Sequence, residues 1–318
     1  MIKNDPSEFQ PQLEILNGIY RGVIEDNNDP EKRGRCKIRV FGINTENKTK
    51  TNFDGIPTEE LLWSEPCMGL LEGSVSGFGL WSVPVQGSHV FVFFEAGHIL
   101  KPKYFATVPG VPTNPSNPSK GFNDPNGNYP TEHRLNEPDF HRLSREVTEE
   151  TLLDIKKENQ IKGITNGLNK GTWDEPDSAY KAKYPDNIVF TTHGGITIEI
   201  DNTPNEQRVH LYHPSNTYIE IDKDGNVSIK ETGNKFEIIE KSSNKYIMKD
   251  ENETIDNNKT KYIKQNEYMQ VDSNQEEKIG GNRKLTIEGN STIDVSGKCD
   301  NTVSGVHTIK GSTIHLNP

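Results

Sequence analysis

The sequence has little of what holds together most secreted or membrane-spanning proteins. Its 318 residues include only three cysteines, Cys36, Cys67 and Cys299, which lie far apart. A disulfide framework or a zinc cluster is therefore not predicted. A transmembrane helix is excluded because no apolar run reaches the required length of about 18 residues. The opening MIKNDPSEF has no apolar signal-peptide core, so we expect synthesis in the cytoplasm without a signal peptide.

Basic charge is also scarce. The chain carries 36 Lys and Arg against 47 Asp and Glu, a formal charge of -11. General nucleic-acid binding depends on basic groups meeting phosphates, so no nucleic-acid partner is predicted. Leucine is scarce as well: isoleucine outnumbers it 28 to 16, which favours strands over helices. We expect an all-β, elongated protein with too few apolar residues for one large globule.

Residues 19–110 show short alternating strands separated by turn residues, after an N-terminal arm at 1–18. About five strands in so short a domain fit a small closed barrel, because closure removes the sheet edges. We therefore predict an OB-fold barrel. The residues expected to form its strands are Val23 and Ile24; Cys36, Ile38 and Val40; Val83 and Val85; Val90 to Phe94; and Lys103 to Val108.

The middle of the chain, residues 111–185, is predicted to be an extended connector with a short helix. Residues 111–130 hold five prolines and five asparagines, which disfavours a packed element. A helix is predicted over residues 144–161 with Ser144 as its N-cap. Its thin apolar stripe indicates a helix docked on a surface.

Residues 186–236 alternate between β-branched and polar side chains, which predicts an antiparallel β region. Turn residues at 194–195, 202–205 and 224–225 separate the strands. His193, His210 and His213 lie on or beside these strands, and we expect them to have structural roles. The apolar residues of this pattern are Ile196, Ile198, Ile200, Val209, Leu211, Ile219, Ile221, Val227 and Ile229.

Residues 237–318 contain a strict repeat of eight residues. Because eight is even, the two-residue alternation of a strand is preserved from one octad to the next, and glycine permits a bend between strands. This pattern predicts a β-helix or β-prism solenoid. The nine ladder residues are Ile239, Ile247, Ile255, Ile263, Val271, Ile279, Ile287, Val295 and Val303, and the glycines two places after the last four of them are Gly281, Gly289, Gly297 and Gly305.

One inward β-branched residue per octad is too little to build a core from one chain. Three identical chains around one axis would bring three ladders together, so we predict a homotrimeric, intertwined β-helix. Strands stacked about 4.8 Å apart would make the nine octads roughly 40 to 45 Å long. A single-chain solenoid remains the alternative. A coiled coil is excluded, because eight is not a heptad and strand formers dominate.

Several phrases resemble one family in the same order along the chain. They are GVIEDNNDPEKRGRCKIRVFGI, GIPTEELLW, SVSGFGLWSVPVQGSHVFVFF and KGFNDPNGNYP, followed by W-x-E-P, YPDN, HGG-x-x-x-E-x-D and DKDGNV. They resemble the central spike proteins of contractile phage tails and, more distantly, the VgrG proteins of type VI secretion. The resemblance implies a structural spike in the virion tail baseplate that pierces the cell envelope during sheath contraction. A phage-derived injection system, of type VI or bacteriocin-like, is the alternative.

The resemblance also implies partners. A separate baseplate hub protein would seat the OB domain, because the barrel begins near residue 19 with no hub domain ahead of it. A small PAAR-type tip protein would cover the C-terminal end. The platform for that tip protein would consist of Ile314, His315, Leu316, Asn317 and Pro318.

Some relatives in this family carry a lysozyme domain in the connector, which makes a spike-borne cell-wall hydrolase the enzymatic alternative. Only residues 131–185 are available for it, too few for a cleft that holds two carboxylates at a set separation. We expect the chain not to be an enzyme and to have no catalytic residues. The candidate carboxylates Glu146, Glu149, Glu150 and Asp154 are predicted to lie on a solvated helix.

The remaining candidate sites are weak. Gly77 and Gly79 lack the helix and lysine of a phosphate loop. Trp63, Phe78 and Trp81 offer stacking surfaces for an oligosaccharide or a single strand, but a basic groove is missing. His307 and His315 lie eight residues apart, whereas metal-binding spike tips use two histidines one residue apart. Neither a metal nor a cofactor is predicted.

Overall fold

The computed structural model describes residues 15–50, 55–69, 78–110, 137–167 and 170–315. The chain divides into two units. The first runs to residue 248 without residues 165–172, and the second combines residues 165–172 with residues 249–318.

The N-terminal part of the first unit is a closed five-stranded barrel, as predicted. Its strand order is β1-β2-β3-β5-β4, and β3 pairs with β5 in parallel while the other pairs are antiparallel. The predicted strand at Val83 and Val85 is wrong, because these residues form a loop in which Val83 packs against the barrel core. The strands are β1 (Ile19–Asp26), β2 (Cys36–Val40), β3 (Trp63–Pro66), β4 (His89–Phe94) and β5 (Pro102–Thr107).

The barrel encloses a small apolar core built from alternate residues of its strands. Strands β1 and β2 approach closely at Gly22, where an added Cβ would lie 2.6 Å from Ile38 Cγ2. The Tyr104 hydroxyl crosses the core and donates to the carbonyl of Gly34 at 2.6 Å. The buried core residues are Ile24, Cys36, Ile38, Val40, Val90, Val92 and Tyr104.

The described part of the connector contains one short α-helix, α1 (Leu152–Glu158), which is shorter than predicted. Ser144 is not its N-cap: the Ser144 hydroxyl donates to the His141 carbonyl within a separate 3-10 turn, Leu143–Arg145. The helix cannot extend back to this turn, because Glu146 and Glu150 have left-handed backbones with φ of 64° and 51°. Thr151 caps α1 instead, with its hydroxyl accepting from the Leu153 amide at 3.3 Å.

Two short strands, β6 (Ile164–Thr165) and β7 (Thr172–Trp173), pair with each other after α1. A five-stranded antiparallel meander follows in the order β8-β9-β10-β11-β12. Its last turn is tied by Asp222, which accepts from the amides of Asp224 and Asn226 at 2.9 Å each. The strands are β8 (Asn187–Thr191), β9 (Thr197–Asp201), β10 (Arg208–His213), β11 (Thr217–Ile221) and β12 (Val227–Lys230).

Beyond β12 the chain follows the octad repeat. Extended segments of six residues alternate with two-residue bends, which recur every eight residues from 232–233 to 304–305. Each of the nine ladder residues directly precedes a bend. If the ladder residue is position 1 of an octad, the bend occupies positions 2 and 3 throughout.

Candidate assembly surface

The meander β8–β12 carries a continuous apolar face that is exposed in the single chain. Cross-strand pairing aligns its side chains in two rows of five, one residue from each strand. All ten are 38–60% exposed. We call these ten residues the apolar sheet face. The rows are Ile188, Ile200, Val209, Ile221 and Val227, and Phe190, Ile198, Leu211, Ile219 and Ile229.

The opposite face of the same sheet is polar and buried. It lies beneath α1 and the neighbouring connector, where Leu143 and Leu152 pack against Tyr212 and Tyr218. Titratable side chains of this face and of α1 meet there and are at most 5% exposed. We call five of them the buried charge cluster: Glu199, Arg208, His210 and Glu220 of the sheet and Lys156 of α1. The sheet is thus inverted relative to an ordinary soluble sheet, in which the apolar face is the covered one.

The buried charge cluster is closely paired. Arg208 forms ion pairs with Glu199 at 2.7 Å and with Glu220 at 2.9 Å. Lys156, from α1, reaches Glu220 at 2.5 Å and lies 3.8 Å above the ring centre of Tyr218. A buried charge without partners would be very costly, so these contacts fix which connector segment covers the polar face.

His210 lies between an acidic and a basic neighbour, and its geometry fits a neutral ring. With Nδ1 protonated, it donates to Glu199 Oε1 at 2.9 Å while Nε2 accepts from Lys156 Nζ at 3.4 Å. Burial lowers the pKa of His210, although the hydrogen bond to Glu199 opposes this shift. Burial would raise the pKa of Glu199, but the His210 hydrogen bond and Arg208 together lower it to about 2.

The predicted ladder residues share one level of exposure. All nine are 40–50% exposed in the single chain. Other large apolar residues nearby are much more exposed, for example Ile238 at 88%, Tyr246 at 85% and Ile293 at 84%. The ladder side chains therefore have a common environment, and about half of each surface is left for a partner to cover.

The predicted turn glycines occupy position 3 of the last four octads, which is the second residue of each bend. The bend itself does not require glycine, because Lys241 and Lys249 occupy the same position in earlier octads with the same bend. The positive-φ glycines among the described residues all precede residue 226. In the single chain, moreover, an added Cβ at Gly281 or Gly297 would contact nothing within 4 Å.

The DP-x-K-x-GR phrase builds a loop of the barrel. Asp29 accepts from the backbone amides of Glu31, Arg33 and Arg35 and pairs with the Arg35 guanidinium at 2.6 Å. These contacts, with the Arg35 hydrogen bond foremost, hold the pKa of Asp29 well below its usual range. The motif therefore has a structural role, in which Asp29 ties the turn together.

The aromatics considered as stacking surfaces differ in their exposure. Trp63 is half-buried, with Arg35 and Lys37 lying 5.7 and 5.1 Å from its ring centre. Trp81 lies against Gly34 and is 54% exposed, and Phe78 is 79% exposed. Gly79 has a φ of +121°, as in a turn, and Gly77 lies outside the described residues.

The candidate carboxylates of the connector hold local structure. Glu146 accepts from Lys183 Nζ at 2.8 Å and from the Tyr184 amide at 2.9 Å, and these bonds lower its pKa. Asp154 accepts from the Glu150 amide at 2.6 Å. Only Asp154 of the four predicted carboxylates lies on α1, so the prediction of a charged helix carrying all four is wrong.

At the C-terminal end, Ile314 is 48% exposed and His315 is exposed, while Leu316, Asn317 and Pro318 lie outside the described residues. Within the described part of a single chain, no three His, Cys, Asp or Glu side chains are grouped as metal ligands. The helices described in the structure are all too short or too polar to cross a bilayer.

Sequence reasoning did not single out the buried charge cluster or the apolar sheet face. Their signal was present in the strands TIEID and RVHLYH, where charged or polar residues alternate with apolar ones. The cross-strand partners Glu199 and His210, and His210 and Glu220, are also complementary in type. The alternation gives two faces but does not reveal which one the chain covers.

Two family models match the chain. The model for the Gp5 N-terminal OB domain matches residues 42–188, and the model for the bacteriophage T4 gp5 C-terminal trimerisation domain matches residues 234–315. Neither is an enzymatic domain. Strand β1 and most of the meander β8–β12 lie outside both matches.

Two curated relatives match the sequence directly. Protein Gp5 of Vibrio phage KVP40 is 34% identical over 264 residues, which are 74% of this chain and 62% of that protein. The pre-baseplate central spike protein Gp5 of Enterobacteria phage T4 is 34% identical over 113 residues, which are 35% of this chain and 20% of that protein. The chain thus spans about three fifths of the first relative and about a fifth of the second.

The barrel and the octad repeat together define the class: an OB-domain protein with a C-terminal trimerisation domain. Within that class, the chain is homologous to the phage Gp5 central spike proteins over both its N-terminal and its C-terminal parts. The predicted fold class and the predicted resemblance are both confirmed.

Proposed function

We propose that this chain is the central spike of a contractile tail baseplate and acts mechanically, as a homotrimer, when the sheath contracts. Homology to Gp5 proteins supports the baseplate location, and the trimerisation-domain match supports the homotrimer. The observation that carries the proposal is the ladder: nine β-branched side chains at one spacing, each half-covered in the single chain.

Burial of these side chains requires sister chains in this proposal. Apolar surface removed from water contributes about 25 cal/mol per Å², so a half-exposed isoleucine or valine in each of nine successive octads strongly favours association. The bend after every ladder residue would carry each chain from one face of a three-sided prism to the next. Glycine at position 3 would then permit close approach of a neighbouring chain rather than the bend itself.

The apolar sheet face supports the same assembly. Its two rows end on β12 at Val227 and Ile229, ten residues before the first ladder residue, Ile239. We infer that the three copies of this face pack against one another in the trimer. Covering the polar face within each chain, through the buried charge cluster, would leave only the apolar face available to its copies.

The remaining partners rest on the resemblance. A hub protein would hold the OB barrel, and a PAAR-type tip protein would cover the platform at residues 314–318. The mechanism requires no reaction: a stiff, acidic β-helix whose sheet edges are paired between chains would cross an envelope under the force of contraction. Transient contact with the target envelope is the only interaction expected during penetration.

The test is complementation of contractile particles that lack this chain. A variant with Ile255→Ser and Ile263→Ser should give particles whose sheaths contract without puncturing the target envelope, or particles that do not assemble. The control is Tyr262→Ser, which alters a side chain that is 82% exposed beside the ladder and should leave puncture intact. Full puncture by the double variant would overturn the proposal.

A further inference from the structure

The octads carry a second regularity, in their charges. Three ion pairs connect position 7 of one octad with position 5 of the next, across a bend: Glu253 with Lys259, Lys261 with Glu267, and Glu277 with Arg283. Lys245 and Glu251 hold opposite charges at the same two positions. Positions 5 and 7 of successive octads therefore lie on one side of the chain, within reach of each other.

The sign of the charge alternates over three consecutive octads at both positions, from Lys245 to Lys261 at position 7 and from Glu251 to Glu267 at position 5. Nowhere do two consecutive octads carry the same charge at position 5, nor at position 7. From the first octad onward, position 7 holds Lys245, Glu253, Lys261, Met269 and Glu277, and position 5 holds Ser243, Glu251, Lys259, Glu267, Gln275 and Arg283.

A repeat of identical octads has a register problem that this alternation can solve. The ladder and the bends recur every eight residues, so a copy displaced by one octad would still align all but one ladder residue. Slippage of this kind is expected wherever one register is not specified by side chains. Apolar contacts alone would distinguish the registers poorly.

In the proposed trimer, the way the chains stack lets these charges distinguish the correct register from a displaced one. If each chain moves to the next prism face after every octad, the strand stacked on a given octad is the next octad of a neighbouring chain. Equal positions then lie about 4.8 Å apart. In register, Glu253 stacks between Lys245 and Lys261 of its neighbours. Displaced by one octad, like charges stack on like charges, which is unfavourable.

We propose that the alternating charges at octad positions 5 and 7 select the register in which three copies of this chain assemble. Further along, position 7 holds Leu285, Ile293 and Ile309, with Asn301 as the exception. The charged octads would therefore set the register, and most of the later ones would add apolar contact. This inference rests on the proposed trimer but adds a specificity that the trimer alone does not require.

The natural Cys299 allows a direct test, because it occupies position 5 and is exposed in the single chain. With Ser291→Cys added one octad earlier and Cys67→Ser removing the other exposed thiol, the correct register places residues 291 and 299 of neighbouring chains within disulfide range. Oxidation should link 291 to 299 between chains. A displaced register should link 291 to 291 and 299 to 299, and peptide mass spectrometry distinguishes these products.

Two charge variants of the Ser291→Cys, Cys67→Ser protein then test whether the charges select the register. The exchange Glu253→Lys with Lys259→Glu keeps the composition and the ion pair across the bend but places like charges in both stacks. No register then brings opposite charges together, so the share of the 291–299 link and the melting temperature of the trimer should both fall. Reversal of all six charges at 245, 251, 253, 259, 261 and 267 restores the alternation and should restore the 291–299 link.

The outcomes are distinct. An unchanged 291–299 share and melting temperature in the exchange variant would overturn the register proposal, as would failure of the six-residue reversal to restore them. If the parent protein is a monomer in solution, the proposed function fails instead. If the parent is a trimer with disulfides that do not respond to either variant, only the register proposal fails.

Discussion

Two adjacent isoleucines provide a sharp test of the ladder. Ile238 and Ile239 are consecutive in one extended segment, so their side chains point to opposite sides. In the single chain Ile239 is 49% exposed and Ile238 is 88% exposed. In the proposed trimer Ile239 faces the interior and Ile238 faces the solvent. Ile239→Ala should therefore weaken trimer association far more than Ile238→Ala, although the chemical change is the same.

The expected loss of association free energy follows from the half of the Ile239 side chain that is exposed in the single chain. Full burial of isoleucine is worth about 1.5 to 3 kcal/mol, so covering the remaining half contributes about 0.7 to 1.5 kcal/mol per chain and about 2 to 4 kcal/mol per trimer. Ile239→Ala loses most of this and leaves cavities that add to the cost. The trimer association constant should fall at least about 30-fold. Ile238→Ala should change stability by less than about 0.5 kcal/mol.

Sedimentation equilibrium over a dilution series measures the association constant for both variants, and circular dichroism checks that each retains its strands. Equal effects of the two substitutions would refute the assignment of sides. An Ile239→Ala variant that associates as tightly as the parent would refute the ladder as the source of association.

Three further predictions concern the first unit. Lys156→Met should destabilise the connector–sheet packing by about 3 kcal/mol in urea unfolding, because it leaves Glu220 with one fewer buried partner; an unchanged midpoint would contradict the role of the cluster. The free energy of unfolding should decrease as the pH is lowered below about 6.5, because His210 takes up a proton more readily in the unfolded chain than in the folded one. It should decrease again between about pH 4.5 and 2, because Glu199 is protonated in that range in the unfolded chain before the folded one. A His210→Gln variant with an undiminished pH dependence above pH 5 would contradict the first part. Gly22→Val should unfold the barrel, since even a Cβ there meets Ile38 at 2.6 Å; a folded variant by tryptophan fluorescence and circular dichroism would disprove this close approach.

The features that could be predicted from the sequence are those set by local periodicity. The two-residue alternation in β2 and β4 indicated the barrel strands, and the spacing of eight indicated both the ladder and its bends. These patterns arise within a few residues, so they are visible without knowledge of tertiary contacts.

The features that could not be predicted depend on distant contacts. The sequence contained both faces of the meander, but only the contacts of α1, through Lys156 and Leu152, decide that the polar one is covered. The helix boundaries were wrong because the left-handed residues Glu146 and Glu150 are not glycines and gave no signal. Val83 and Val85 alternate like a strand, yet this segment packs as a loop beside Gly87.

The central claim is that the chain functions as three copies on one axis, and native mass spectrometry of the full chain tests it most directly. Spectra recorded over a wide dilution range should show a single species with three times the mass of one chain. A monomer or a dimer that persists at high protein concentration would contradict the account.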